Sequence, residues 1–264
     1  MYRSLLYVPA HSDRFLSKAH ERGADAIILD LEDAVPEADK DRARDGLAAS
    51  VAQVMRNGAG VFVRINAGPR AIADAHAAKA AGAAGVVVAK ADLAGLKALA
   101  PMGIPLLAMI ESAAGVLDAR ACAAAESVIG LLVGGEDLAT SLGGRATPEV
   151  LRVPKLLVHY AARAEGKLSF GLLRSVADYS DLDGIRAAAE EAHAHGFDGA
   201  TCVHPSAVPI LNLAFAPSAE EIDWARGVIE AARVSAGAFS LEGQMIDRPV
   251  VERARRILAR ASRH

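Results

Sequence analysis

Short apolar runs rich in β-forming residues recur along the chain at 5–8, 26–29, 61–65, 86–88, 106–110, 129–133, 168–172 and 200–203. Between them lie alanine-rich stretches with helical spacing of their apolar positions, including 38–56, 71–81, 113–125, 148–165 and 183–195. Gly23, Gly82, Gly166 and Gly196 stand where such stretches end, as suits a helix C-terminus. Strand alternating with helix predicts parallel pairing, because a parallel neighbour requires a crossover long enough to hold a helix. Eight such units in about 215 residues predict an α/β fold of the closed (β/α)₈ TIM-barrel type. An open doubly wound sheet would more often stop at fewer strands and carry a phosphate-binding glycine cluster, and no GxGxxG follows the first run. Beyond the eighth run come three further helical stretches, 206–215, 218–235 and 249–262, the last two separated by AGAFSLEGQMIDRP. The expected organisation is a catalytic barrel over 1–215 and a C-terminal helical extension over 216–264 that makes an oligomer contact and supplies a lid.

Composition narrows the class of partner. With 264 residues, 52% of them hydrophobic and 23% charged, the chain buries a substantial core. A net charge of −3, with acids and bases interspersed, excludes the basic footprint of a nucleic-acid or membrane-surface binder and leaves a small molecule. Cys122 and Cys202 form neither a disulfide framework nor a zinc spacing, which fits a reducing, cytoplasmic setting. The apolar stretch near the N-terminus is too short for a secretory signal, and no run approaches the length of a membrane span.

In barrel enzymes the reacting groups sit where the strands end, so the residues at those positions carry the candidate chemistry. The second run ends in Asp30-Leu31-Glu32-Asp33, the third in Arg64-Ile65-Asn66, the fourth at Lys90, the fifth at Glu111, the sixth in Gly134-Gly135-Glu136-Asp137 and the eighth in His204-Pro205. One isolated carboxylate would read as a solvated strand terminus. So many charges on one mouth call for a cation or an anionic substrate to complete the site. Glu111 and Asp137 follow adjacent strands, an oxygen-donor pair that suits Mg²⁺ with water or substrate in the remaining positions. Arg64 offers a fork of donors for a carboxylate or an enolate oxygen, or else a rim ion pair with Glu32 or Asp33. Lys90 invites comparison with Schiff-base lysines, a mechanism that a metal pair makes redundant. His204 either shapes a thioester pocket or stabilises its turn, and the spacing of Tyr7, Arg14 and Lys18 specifies nothing by itself.

The ordered set RSLLYVPA, DLEDAVP, VRINA, MIES, GGEDLATSLG, DGATCVHPSAV and GQMIDRP resembles the citrate lyase beta subunit family, with malyl-CoA lyase and citramalyl-CoA lyase, over roughly residues 2–250. The resemblance implies Mg²⁺ on Glu111 and Asp137, and substrate and enolate on Arg64. It also implies an acid/base Asp247 delivered by one subunit's lid to its neighbour, with Glu32 or Asp33 orienting bound water or Arg64. Coenzyme A contacts fall near Tyr7, Arg14, Lys18, Val203 and His204, with Lys90 among the substrate-binding residues. The implied activity is reversible cleavage of a citryl-, malyl- or citramalyl-type thioester into a small oxo-acid and a thioester enolate, by a trimer or multiple of three. Departures from the family pattern are Ala89-Lys90-Ala91-Asp92, Val133-Gly134, Ser141 and Ala207; none removes an expected metal ligand. Three further readings keep the site. They are a beta subunit acting on an acyl-carrier-protein thioester, a thioesterase, and a pyruvate-type aldolase, the last lacking a well-placed early histidine. A scaffold without activity is disfavoured by the joint presence of Arg64, Glu111, Asp137 and Asp247.

Overall fold

The computed structural model describes residues 2–234, 237–241 and 243–262. Its eight parallel strands are β1 Ser4–Pro9, β2 Ala26–Asp30, β3 Gly60–Ile65, β4 Gly85–Val88, β5 Leu106–Ile110, β6 Val128–Val133, β7 Leu168–Phe170 and β8 Ala200–Cys202. Each falls on one of the eight apolar runs. Neighbouring strands pair in chain order from β1 to β7, and β8 pairs with β1. The circuit closes between β7 and β8 through a Phe170–Gly199 bridge, with Gly171 N–H donating to Gly199 O at 2.9 Å. Gly199 is required there, since a Cβ would stand 2.1 Å from the Tyr2 carbonyl oxygen. The result is a (β/α)₈ barrel.

Period-two alternation sorts each strand into two faces. Leu5, Ala26, Ile28, Phe62, Val87, Leu107, Met109, Leu132 and Phe170 form one contiguous core, with Tyr7 packed against it. The alternate residues, Ile27, Leu29, Val61, Val63 and Ala108 among them, are also fully buried, as expected of a parallel sheet covered by helices. Gly23, Gly82, Gly166 and Gly196 all adopt left-handed backbone, φ 65–93°, the conformation that lets a helix end.

Two expected helices are broken. The 38–56 stretch divides at Gly46 into Lys40–Asp45 and Leu47–Val54, and 113–125 divides at Asp118 into Ala113–Leu117 and Ala119–Ala124.

The chain separates into two compact units, Tyr2–Asn212 and Leu213–His264. The second holds the helices Ala219–Val234 and Arg248–Ala261, whose core comprises Ala225, Val228, Ile246 and Ala254. The stretch between them, read from sequence as a loop, contains an antiparallel hairpin, β9 Phe239–Leu241 with β10 Gln244–Ile246. Gly243, at φ 79°, supplies its turn, while Phe239, Leu241 and Ile246 join the unit's apolar cluster. Among the described residues no helix is long and apolar enough to cross a membrane.

Candidate active site

β2 and β3 bring the first two groups together. Asp30 continues the inward series Ala26, Ile28, and Arg64 continues Phe62, and the two are register partners. Arg64 Nε donates to Asp30 Oδ1 at 2.8 Å and Nη2 to Oδ2 at 2.5 Å, a bidentate fork that fixes the guanidinium plane. Its third corner, Nη1, stands 3.0 Å from Glu32 Oε2 and 3.5 Å from Asp33 Oδ2. The guanidinium also lies 5.1 Å above the Tyr7 ring. Burial works most strongly against the Arg64 charge, but the hydrogen bonds it donates to Asp30, together with the negative charges of Asp30 and Glu32, outweigh it and raise its pKa. Asp30 further accepts from the N–H groups of Glu32 and Ala34, at 2.9 and 3.2 Å, so it shapes the loop after β2.

A second tier holds that loop. Lys40 Nζ donates to the carbonyls of Leu31 and Glu32, at 3.2 and 2.8 Å, and to Asn66 Oδ1 at 2.5 Å. Asn66 in turn donates through N and Nδ2 to buried Asp74, which lies 3.6 Å from Arg44.

Glu111 extends the inward series Leu107, Met109 beyond the end of β5. It is only 7% exposed, and its Oε2 accepts the Lys90 N–H at 2.5 Å. Gly134 must be a glycine for this, because a Cβ would fall 2.2 Å from Glu111 Oε1. Asp137 sits in the first turn of the helix Gly135–Ser141 with its side chain 46% exposed, beside Glu111 and 3.8 Å from Lys90 Nζ. Lys90 Nζ donates to Glu32 Oε1 at 2.5 Å. Burial, with Glu32 and Asp137 nearby, pushes the Glu111 carboxyl up to about 7 despite the Lys90 hydrogen bond. Glu32 is likewise raised, first by burial, and its Oε2 accepts no hydrogen bond although Arg64 stands close. The Glu32 contact raises the Lys90 pKa, which keeps it an ammonium and argues against a Schiff-base nucleophile.

The mouth therefore gathers Asp30, Glu32, Asp33, Glu111 and Asp137 around Arg64 and Lys90, the two cations whose ion pairs with them are seen among the described residues. Among the described residues no three His, Cys, Asp or Glu side chains converge as a ready-made metal cage. Glu111 and Asp137 can offer two oxygens, leaving the other positions of an octahedral ion to water and substrate. The donor set fits Mg²⁺. It is all oxygen, and a carboxyl raised first by burial and then by its acidic neighbours is relieved by a cation.

Of the remaining residues named from sequence, Tyr7 belongs inside the barrel beneath Arg64, where burial first of all raises its phenol pKa. Arg14 and Lys18 share the exposed face of the helix Asp13–Ala19. Val203 and His204 line a small cleft with Leu172, Tyr179, Cys202 and Leu211. His204 stacks on Tyr179 at 4.9 Å and accepts the Ser206 N–H at Nδ1. Asp247 lies in the C-terminal unit as the N-cap of the helix Arg248–Ala261, accepting the Val250 N–H at 3.3 Å. Sequence reasoning gave no role to Asp30, Lys40, Asn66 or Lys155. Asp30 alone carried a usable signal, its phase with Ala26 and Ile28.

Residues 3–205 match the HpcH/HpaI aldolase/citrate lyase family. A citrate lyase subunit beta-like protein of Mycobacterium tuberculosis is 37% identical, covering 97% of this chain and 94% of that protein. A (3S)-malyl-CoA thioesterase of Cereibacter sphaeroides is 36% identical, covering 98% and 94%. Among solved structures, CitE of Mycobacterium tuberculosis in complex with magnesium, acetoacetate and coenzyme A superposes with a TM-score of 0.83 at 36% identity, covering 98% of this chain and 97% of that one.

Proposed function

Because this chain belongs to the HpcH/HpaI aldolase/citrate lyase family, we propose that it is a magnesium-dependent carbon–carbon lyase acting on a short hydroxy-dicarboxylic acyl thioester of the citryl-, malyl- or citramalyl-CoA kind. The observation that carries this reading is the barrel mouth itself, where a guanidinium locked by Asp30 stands beside an excess of buried carboxylate. The CitE structure bound to magnesium, acetoacetate and coenzyme A supports the same ligand classes here.

Glu111 and Asp137 would hold the metal. Magnesium, when bound, supplies Lewis acidity toward the oxygen of the hydroxy-acid portion. In the cleavage direction the bond between the carbinol carbon and the thioester α-carbon breaks. The carbinol oxygen would give its proton to a carboxylate of the mouth and become the carbonyl of an oxo-acid, while the electron pair of the broken bond passes to the thioester, which leaves as an enolate. Arg64 serves that enolate: Asp30 holds its plane, and Nη1 turns toward the mouth. The exposed Asp33, at 3.5 Å, is the partner an incoming thioester oxygen would most readily displace. Preorganised donors of this kind stabilise developing charge without reorganising during the reaction. Asp247 of a neighbouring subunit would deliver the proton to the enolate carbon, and Arg14, Lys18, Val203 and His204 would meet the coenzyme A portion. We place the protein in the cytoplasm as a homo-oligomer, a trimer or multiple of three.

The malyl-CoA thioesterase relative favours a second reading in which water attacks the thioester on the same site. One assay separates the two. Purified protein with excess Mg²⁺ is offered malyl-, citramalyl- and citryl-CoA separately, and oxo-acid and free thiol are followed in parallel. The lyase yields oxo-acid without free thiol; a thioesterase yields free thiol without oxo-acid. Glu111→Gln with Asp137→Asn should reduce turnover at least about a hundredfold, and unchanged turnover would remove both residues from the site. Activity only with an acyl-carrier-protein thioester would identify the beta-subunit form of the reaction.

A further inference from the structure

Lys90, in the turn after β4, holds left-handed backbone, φ 49°, a conformation that residues with a Cβ rarely adopt without a compensating constraint. Its neighbours supply the constraint. Ala89 and Ala91 are buried, and Ala91 N–H donates to Met109 O at 3.0 Å. The turn aims the Lys90 N–H at Glu111 Oε2 and its ammonium at Glu32 Oε1, both at 2.5 Å, with Asp137 Oδ2 at 3.8 Å. A single residue thus meets carboxylates from three separate segments, the loop after β2, the end of β5 and the helix after β6. The contacts differ in kind. The one to Glu111 comes from the backbone and survives any side chain except proline, whereas those to Glu32 and Asp137 depend on the positive charge. With its side chain half exposed at the rim, the ammonium can yield to an arriving ion without being buried elsewhere.

We infer that Lys90 is a resident counter-ion of the metal site: its ammonium occupies part of the field that a divalent cation fills, it gives up Asp137 when the cation binds, and its charge sets the cation's affinity. This rests on the reading that Glu111 and Asp137 take a divalent cation. The strained turn then has a purpose, since it places a fixed donor on one expected ligand and a displaceable charge beside the other. Lys90 is a positioning residue in this account.

The test is titration of the full-length, metal-free protein with Mn²⁺, followed by calorimetry and by water-proton relaxation. Lys90→Met removes the charge at nearly constant length, Lys90→Gly removes it while relaxing the backbone and keeping the N–H, and Lys90→Arg retains it. The Met and Gly variants should bind Mn²⁺ about fivefold more tightly than the wild type, from relief of repulsion across a partly solvated gap. Arg should return affinity to near the wild-type value. The metal-free Met variant should also melt at a lower temperature than the wild type, with a larger rise on adding Mg²⁺. A merely structural lysine would weaken binding when removed. Equal or weaker Mn²⁺ binding by both Met and Gly, beside an intact wild-type isotherm, overturns the counter-ion role and leaves the metal reading standing. A wild type that binds no Mn²⁺ overturns both.

Discussion

Asp30 is 2% exposed and gives both carboxylate oxygens to Arg64, while the same oxygens accept two backbone N–H groups of the following loop. Replacing it by Asn preserves the shape but halves the acceptors and removes the charge that keeps a buried guanidinium in place. Asp30→Asn should therefore lower kcat by roughly ten- to a hundredfold with a smaller change in KM, the pattern of a lost transition-state contact; a rise in KM alone would show that Arg64 binds the ground state and the transition state equally. The catalytic face was partly legible in the sequence because Asp30, Arg64 and Glu111 keep period-two phase with apolar neighbours. The supports were not legible. Lys40, Asn66 and Asp74 meet through tertiary contacts that no spacing encodes. His159 is a residue whose effect lies in stability. It stacks on Phe197 at 4.3 Å, its Nδ1 lies 3.0 Å from Ser169 Oγ, and burial, then the Arg163 charge, pushes its pKa down to about 4. The folded value lies below the ordinary value of 6.5, so the unfolded chain binds the proton more tightly. Its contribution is complete above about pH 6.5 and is lost as pH falls toward 4, on the order of 2 kcal/mol. Urea midpoints at pH 7 and pH 4.5 should differ more for the wild type than for His159→Gln, and equal differences would exclude His159 as the cause.

The elements were more legible than their joints. Eight strands fell on eight apolar runs because burial on both faces leaves an uninterrupted hydrophobic signature. The breaks at Gly46 and Asp118 and the hairpin β9–β10 were missed, since three-residue strands are too short to show alternation and alanine-rich sequence fits one long helix as well as two short ones. The segment after β7 shows how a helix can hold a loop from below. Lys155, buried on the helix Pro148–Ala164, donates to the carbonyls of Leu172 and Arg174 at 2.9 and 2.6 Å, while burial pushes its amine down to about 8. Above it Arg174 pairs with Asp178 and Asp181, and Ser175 donates to Glu136. Lys155→Met leaves a buried and a partly buried carbonyl without their donor, so the loop that carries Tyr179 over the cleft should open more often. Hydrogen exchange should accelerate about tenfold within 172–181 and stay unchanged in β1 to β6. Acceleration throughout the barrel would mean that the lysine supports the whole fold instead.

At the scale of the whole molecule, the role proposed for Asp247 would tie the C-terminal unit of one subunit to the barrel mouth of another. Asp247 has two distinct duties available, the N-cap it visibly performs for the helix Arg248–Ala261 and the proton transfer proposed for it in a neighbouring subunit. An alanine there confounds them, because losing a cap costs about 1 kcal/mol of helix stability. Asparagine caps as well as aspartate but carries no transferable proton, so Asp247→Asn should leave the thermal midpoint within a degree or two while nearly abolishing turnover. Co-expression then distinguishes action within a subunit from action between subunits. Arg64→Ala spoils the barrel mouth and spares Asp247, and Asp247→Asn does the reverse. If each active site combines one subunit's barrel with its neighbour's Asp247, equal mixing restores about a quarter of the sites in a closed ring. If both come from the same subunit, every mixed assembly is dead. Recovered activity near that fraction, with each parent variant inactive alone, would establish that the second unit serves its neighbour and that assembly is a condition of catalysis; no recovery from verified mixed oligomers would confine Asp247 to its own barrel, and an Asp247→Asn parent as active as the wild type would leave it only its cap.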